Sequence, residues 1–181
     1  KILCLYIMIK KNKQSKYQEN LLYNKILSLS RNKLFYTKYN LRDTFQNRII
    51  LIFLHISFLF IKSKQSKYDQ VFTDFCQNVF DLTFKKIEIN MREIGHGDVT
   101  VNKNMKHLVK VFYKILMNCE NFNKNTLNSK NLFLNEHLEV NKNKNGFINI
   151  DLVKYFEKYQ AFCFDLRVDS VLKGNLNFNF K

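Results

Sequence analysis

Proline and tryptophan are absent from this 181-residue chain, and glycine occurs only four times. Without proline, nothing of the strongest helix-breaking kind interrupts a long helix from within. Cysteine is sparse as well. Cys4, Cys76, Cys119 and Cys163 stand far apart, with no Cys-x-x-Cys pair. That spacing argues against a zinc ribbon, and an apolar-rich chain has no need of a disulfide scaffold, so buried free thiols are expected. The four histidines, His55, His96, His107 and His137, form neither a His-Glu-x-x-His pattern nor an i, i+4 pair. They announce no metal site. There is no Gly-x-Ser-x-Gly turn, no glycine-rich phosphate loop and no RNP-type aromatic signature. No catalytic residue, cofactor, metal or small-molecule substrate is expected from these motifs.

Acid is also short. The chain has 30 Lys and Arg against 15 Asp and Glu, a formal net charge of +15. Such an excess favours anionic partners: RNA, a ribosome surface or anionic lipid headgroups. What the chain does have is apolar mass. It is 46% hydrophobic and 15% aromatic, with 18 Phe, enough for a sizeable core in one domain.

The pattern is helical almost throughout. Ile2–Ile9 is apolar but far shorter than the roughly 20 residues of a membrane span, and it carries no signal-peptide cleavage pattern. We assign residues 15–165 to one helical domain, with 1–14 unassigned and 166–181 as a C-terminal tail. Leu21, Leu22, Ile26 and Leu29 predict a first helix over about 17–30, followed by Arg31 and a loop with Phe35 and Tyr36. Loop aromatics of this kind pack onto a core or line a groove. Asp43 and Thr44 are N-cap candidates, Asp43 with Gln46 at capping-box spacing. Residues 49–61 are almost wholly apolar but cover only about 20 Å, so they predict a central buried helix rather than a span. Arg48 and His55, seven apart, share a face of it. A histidine there is either hydrogen-bonded within the core or reaches a carboxylate from another helix.

After a polar stretch, Lys62–Lys67, a stripe of Phe72, Cys76, Phe80, Thr83, Ile87, Met91 and Ile94 predicts a helix over 68–91. It ends at Arg92-Glu93-Ile94-Gly95-His96-Gly97-Asp98. Two of the four glycines stand here, one residue apart. Gly95 can close a helix in the left-handed conformation, Gly97 permits a second bend, and Asp98 is placed to accept backbone N–H bonds. Val99–Val101 reads as extended, with Asn102 as the next N-cap. Met105, Leu108, Val109, Phe112 and Leu116 then form a helix face, and Lys103, Lys106 and Lys110 line its other side. That basic row reads as a solvated face or a phosphate contact strip. An Asn- and Lys-rich irregular segment over 121–149, with a helical piece near 132–138, precedes a last helix over 149–164. Within it, Asn141–Leu152 aligns with a calcium-binding EF-hand loop. It lacks the bidentate glutamate at the final position and holds two lysines, so calcium binding is not expected. The tail Gly174–Phe180 alternates Asn with apolar residues, as an extended strap would. The fold class is therefore all-α: a single multi-helix domain with a Gly-x-Gly-Asp corner.

The corner and its flanks resemble the ubiquinol–cytochrome c chaperone family, assembly factors of the cytochrome bc1 complex. Phe80-Asp81, Glu88, Met91-Arg92-Glu93-Ile94-Gly95-His96-Gly97-Asp98, Val101, Lys103, Met105-Lys106 and Phe112-Tyr113 follow the family's signature block. Upstream, Arg31, Phe35-Tyr36, Asp43-Thr44, Arg48 and Leu54-His55 match it in order and spacing. The chain departs at Lys114-Ile115, where Gly-Arg is common, and in having no proline near Asp43-Thr44. The resemblance covers about residues 20–115. It implies a non-catalytic helical chaperone, without cofactor, that holds newly made or apo cytochrome b until haem is inserted. It further implies a small partner protein, a ribosome (rRNA) contact and a peripheral contact with the inner membrane. The place of action would be the cytoplasm or the cytoplasmic face of a bacterial inner membrane, or the matrix side in a mitochondrion. The marked residues are Arg31, Tyr36, Asp43, Arg48, His55, Arg92, Glu93, Gly95, Gly97, Asp98, Lys106 and Tyr113, as a partner-binding or structural cluster. Arg92 and Glu93 are expected to pair with Asp98, Arg48 or His55 in a buried charged network. The competing reading is a basic helical RNA- or ribosome-binding protein.

Overall fold

The most apolar run in the chain becomes the axis of the fold. In the computed structural model, which describes residues 2–65, 70–141 and 149–180, it forms helix α3, Phe45–Gln65. Every side chain from Ile49 to Leu59 is buried. The window Phe45–Lys62 is long and apolar enough to cross a bilayer, but 78% of it is buried inside the fold. Protein replaces lipid around it: α1 (Ile2–Ser30), α4 (Gln70–Glu93), α5 (Asp98–Glu120) and α7 (Ile150–Asp165) all pack against α3. Phe53 stacks on Phe84 of α4 at 5.4 Å and meets Phe112 of α5 edge-on at 5.3 Å. One turn on, Phe58 meets Phe122 at 5.2 Å and Phe156 of α7 at 5.9 Å. Each such ring contributes roughly 1.5–3 kcal/mol by burial, and aromatic contact geometry adds about 0.5–1.5 kcal/mol.

The remaining elements are short: α2 (Leu34–Thr37), a 3-10 turn (Phe122–Lys124), α6 (Leu127–His137) and α8 (Val168–Leu172). Among the described residues there is no β-strand, only an isolated antiparallel bridge between Leu41 and Val140. The chain is all-α, as its pattern predicts.

Several local expectations are corrected. Helix α1 begins at Ile2 rather than near Tyr17. Thr44, not Asp43, caps α3: its hydroxyl accepts the Asn47 N–H at 3.2 Å, while Asp43 turns to Arg48. Phe35 and Tyr36 lie in the single turn of α2 instead of a loop, with Phe35 fully buried. Residues 99–101 are helical, not extended, because α5 starts at Asp98 with Gly97 as its N-cap, displacing Asn102. The tail contains α8 before it becomes a strap across α7, where Phe178 packs against Tyr159 at 5.1 Å. Asn149 caps α7, accepting from Leu152 N–H at 3.1 Å. The middle of the EF-hand-like stretch, 142–148, and residues 66–67 of the polar stretch lie outside the described residues.

Chain direction sets the site. Helices α3 and α4 form a hairpin, since Phe53 and Phe84 touch about equally far from its closed end. Helices α4 and α5 form another, closed at Arg92–Asp98 and touching again at Phe80–Tyr113. Helix α7 runs parallel to α3, with contacts at His55–Tyr155 and Lys62–Phe164. The start of α3, the end of α4, the Gly corner and the start of α7 therefore share one end of the bundle.

Candidate functional site at the helix corner

The corner is built by backbone geometry. Gly95 has φ +94°, and the residues around it form a Schellman closure: His96 N–H donates to Met91 O at 3.1 Å and Gly95 N–H to Arg92 O at 3.0 Å. Gly97 then sits in extended conformation, φ −71° and ψ 160°, and Val101 N–H donates to its carbonyl at 3.0 Å. Two orphan helix ends are thus satisfied within a few residues. Asp98 does not bind backbone N–H groups, against expectation. Its carboxylate pairs with Arg92, whose guanidinium also holds Glu88 one turn back at 3.0 Å. The two carboxylates, Asp98 foremost and then Glu88, push the Arg92 pKa up. The side chains of Arg92 and Asp98 are 44% and 77% exposed, so this is an open ionic bracket rather than a buried network. Glu93 is exposed and makes no ion pair among the described residues. Ile94 and Val99 flank the bracket at 59% and 85% exposure.

A second cluster gathers at the same end. Arg48 grips Asp43 with two parallel bonds, Nε to Oδ1 at 2.7 Å and Nη2 to Oδ2 at 2.9 Å. The Arg48 hydrogen bonds hold the Asp43 carboxyl below its ordinary range. Tyr36 lies beside the pair. Burial, then the Asp43 charge, pushes its hydroxyl pKa up, while Arg48 and Arg31 pull the other way. Tyr36, Asp43 and Arg48 are therefore assembled as one group, with the Arg31 charge near enough to act on the Tyr36 hydroxyl. The expected Arg92 links to Arg48 and His55 do not form, because each arginine is satisfied by carboxylates close in sequence.

His55 belongs to neither cluster. It is fully buried, with Nδ1 2.6 Å from the Leu51 carbonyl and Nε2 2.8 Å from the Tyr155 hydroxyl. Burial pushes its pKa down to about 4, against a smaller upward pull from the Leu51 carbonyl. It is a core hydrogen-bonding group, one of the two roles open from sequence. Lys106 and Tyr113 lie apart again, on the outer side of α5, where Tyr113 is 52% exposed beside Phe80. Among the described residues, no three His, Cys, Asp or Glu side chains gather as a metal would require.

One organising residue escaped sequence reasoning. Asn47 is fully buried, and its side-chain amide donates to Arg42 O at 2.7 Å and Glu139 O at 2.8 Å. Its carbonyl accepts the Glu139 N–H at 2.8 Å. It pins the start of α3 to the segment after α6, beside the Asp43–Arg48 pair.

A family model described as ubiquinol–cytochrome C chaperone matches residues 37–144, more than half the chain. The chain belongs to the ubiquinol–cytochrome c chaperone family. The match runs from the Asp43–Arg48 pair through α3 and the corner to the segment after α6. A solved structure, the crystal structure of the Cbp3 homolog from Brucella abortus, has a TM-score of 0.82. It covers 98% of this chain and 97% of that one at 20% identity, and so it shows a shared fold. No curated protein sequence matches the chain.

Proposed function

We propose that this chain is an assembly chaperone of the cytochrome bc1 complex that holds newly made cytochrome b. The observation that carries the reading is the family match over residues 37–144, which contains the Asp43–Arg48 pair, the Arg92 bracket and the corner between α4 and α5. The geometry suits holding better than chemistry. Two ion-paired clusters face solvent at one end of the bundle, and exposed Ile89 and Ile94 stand beside the corner. Apolar client helices need such side chains, and fixed charges beside them orient a client without an ordering cost. The membrane nature of the client places the work at the cytoplasmic face of a bacterial inner membrane, or the matrix face in a mitochondrion. A small partner protein and a ribosome contact complete the proposed assembly, the latter suited to the net charge of +15.

The test is deletion of the gene followed by complementation. Loss of cytochrome b absorbance with other membrane proteins intact is expected, as is co-purification of cytochrome b with the tagged chain. Arg92→Ala sharpens it. Exposure of the bracket predicts an unchanged melting temperature together with weakened capture of cytochrome b. Collapse of thermal stability would make Arg92 a structural lock instead. Intact cytochrome b in the deletion strain, with salt-sensitive binding of bulk RNA by the purified chain, would favour an RNA-binding protein.

A further inference from the structure

Helix α5 carries an unusual line of side chains on its outward face. Val99, Lys103, Lys106, Lys110, Tyr113 and Met117 are spaced four, three, four, three and four residues apart, and all are exposed. This spacing keeps them on one ridge roughly 27 Å long. The ridge is apolar at both ends and basic in the middle. Val99 is 85% exposed and Met117 68%. Near this end of α5, Lys114 bridges to Glu136 of α6, and Leu132, one turn before Glu136, is 69% exposed.

The lysines are also unspent. Lys103, Lys106 and Lys110 make no ion pair among the described residues, whereas Arg92 pairs with Glu88 and Asp98, and Lys114 with Glu136. Between Asp98 and Glu120, α5 contains no acid at all. Charge complementarity therefore calls for an anionic surface, and one broad enough to meet a straight ridge.

We infer that the outer ridge of α5 is a docking surface for an anionic lipid bilayer. Lysine stems lie along such a surface while their ammonium groups reach headgroup phosphates, and exposed apolar side chains enter the boundary between headgroups and acyl chains. Nucleic acid fits less well: the ridge has no arginine and one aromatic ring, whereas single-stranded RNA is held on several stacked rings and guanidinium planes. The inference deepens the membrane-side reading above and does not rest on cytochrome b being the client.

The experiment is co-sedimentation of the full chain with phosphatidylcholine vesicles, with and without phosphatidylglycerol, at increasing salt. Binding is expected only with phosphatidylglycerol and is expected to fall as salt rises. Neutralising the ridge (K103Q/K106Q/K110Q) should cut partition on the order of a hundredfold, from the typical contribution of a lysine near an anionic surface. Neutralising three exposed lysines elsewhere (K25Q/K124Q/K154Q) should cut it far less. V99S/M117S should abolish the part of binding that survives high salt. Equal loss in the two lysine triples would mean diffuse attraction and overturn the proposal. So would absence of vesicle binding, or RNA binding that depends on the ridge when vesicle binding does not. Helical circular dichroism of each variant separates lost docking from lost fold, and V99S/M117S tests the ridge without altering charge.

Discussion

The Tyr155 hydroxyl donates to His55 Nε2 across 2.8 Å, joining α7 to α3 where neither side chain meets solvent. The direction of the bond follows from the other ring nitrogen. Nδ1 faces the Leu51 carbonyl at 2.6 Å, and a carbonyl can only accept, so Nδ1 carries the proton and Nε2 receives one. A neutral imidazole is thereby built into the core, enclosed by Phe35, Phe156 and Tyr159.

That neutrality makes stability depend on pH. The His55 pKa is depressed from 6.5 to about 4 on folding, so between those values the unfolded chain binds the extra proton. Stability is complete above pH 6.5 and is lost as pH falls through about 4, by roughly 3 kcal/mol in total. His137, whose pKa burial also lowers, acts in the same direction. Urea unfolding midpoints measured across this range should therefore slope downward toward acid. His55→Gln should be less stable at pH 7 but show a flatter slope. An unchanged slope in the variant would assign the acid sensitivity to other groups.

Asn47 leads to a prediction about the same end of the bundle. Its amide serves two carbonyls and one N–H in a fully buried setting. Asn47→Ala strands those groups and should cost about 2–4 kcal/mol, at 1–3 kcal/mol for each buried group left unsatisfied and with partial relaxation. Asn47→Asp should cost more at neutral pH, because an anionic oxygen would face the Arg42 and Glu139 carbonyls. Denaturant titration of both variants at pH 7 and pH 4 checks this, with the aspartate variant recovering relative to alanine as it protonates.

The course of α3 and α4 and the left-handed turn at Gly95 were legible because they rest on local rules. The stripe from Phe72 to Met91 and the left-handed Gly95 each follow from a few neighbouring residues. The ionic partners were less so. Arg92 takes Glu88, four residues back, a pair that helical spacing allows, and not the longer reach to Arg48 or His55 that the family pattern suggests. What no local rule supplies is rotation and pairing between distant segments. Asn47 meets Glu139 and Tyr155 meets His55 only once the bundle has closed. The early half of α1 was missed for a related reason: its polar residues, Lys10 to Ser15, mask any apolar stripe.

Glycine gives the last prediction, and it reverses the emphasis of the sequence. Gly95 and Gly97 stand out in the chain, but a side chain at either would meet open space. Gly97, at φ −71°, has an ordinary backbone, so Gly97→Ala should be nearly neutral, and Gly97→Ser should gain a few tenths of a kcal/mol as a better N-cap. Gly95→Ala keeps its space but must hold φ +94°, at about 1 kcal/mol. Gly174 is the costly position. It closes α8 as Gly95 closes α4, with φ +73°, Gly174 N–H donating to Val171 O and Asn175 N–H to Ser170 O. A Cβ there would stand 2.8 Å from the Gln18 backbone carbonyl and 3.0 Å from Leu21 Cβ, both on α1. A backbone oxygen cannot swing aside as a flexible side chain would, so the strap and α8 must lift from α1. Gly174→Ala should therefore be the most destabilising of the three alanine variants, by about 2–3 kcal/mol from strain plus overpacking. Thermal melts of the set should rank Gly97, Gly95, Gly174 from least to most damaging. A larger loss at Gly95 than at Gly174 would mean that the corner, and not the seat of the strap, is the more tightly constrained turn.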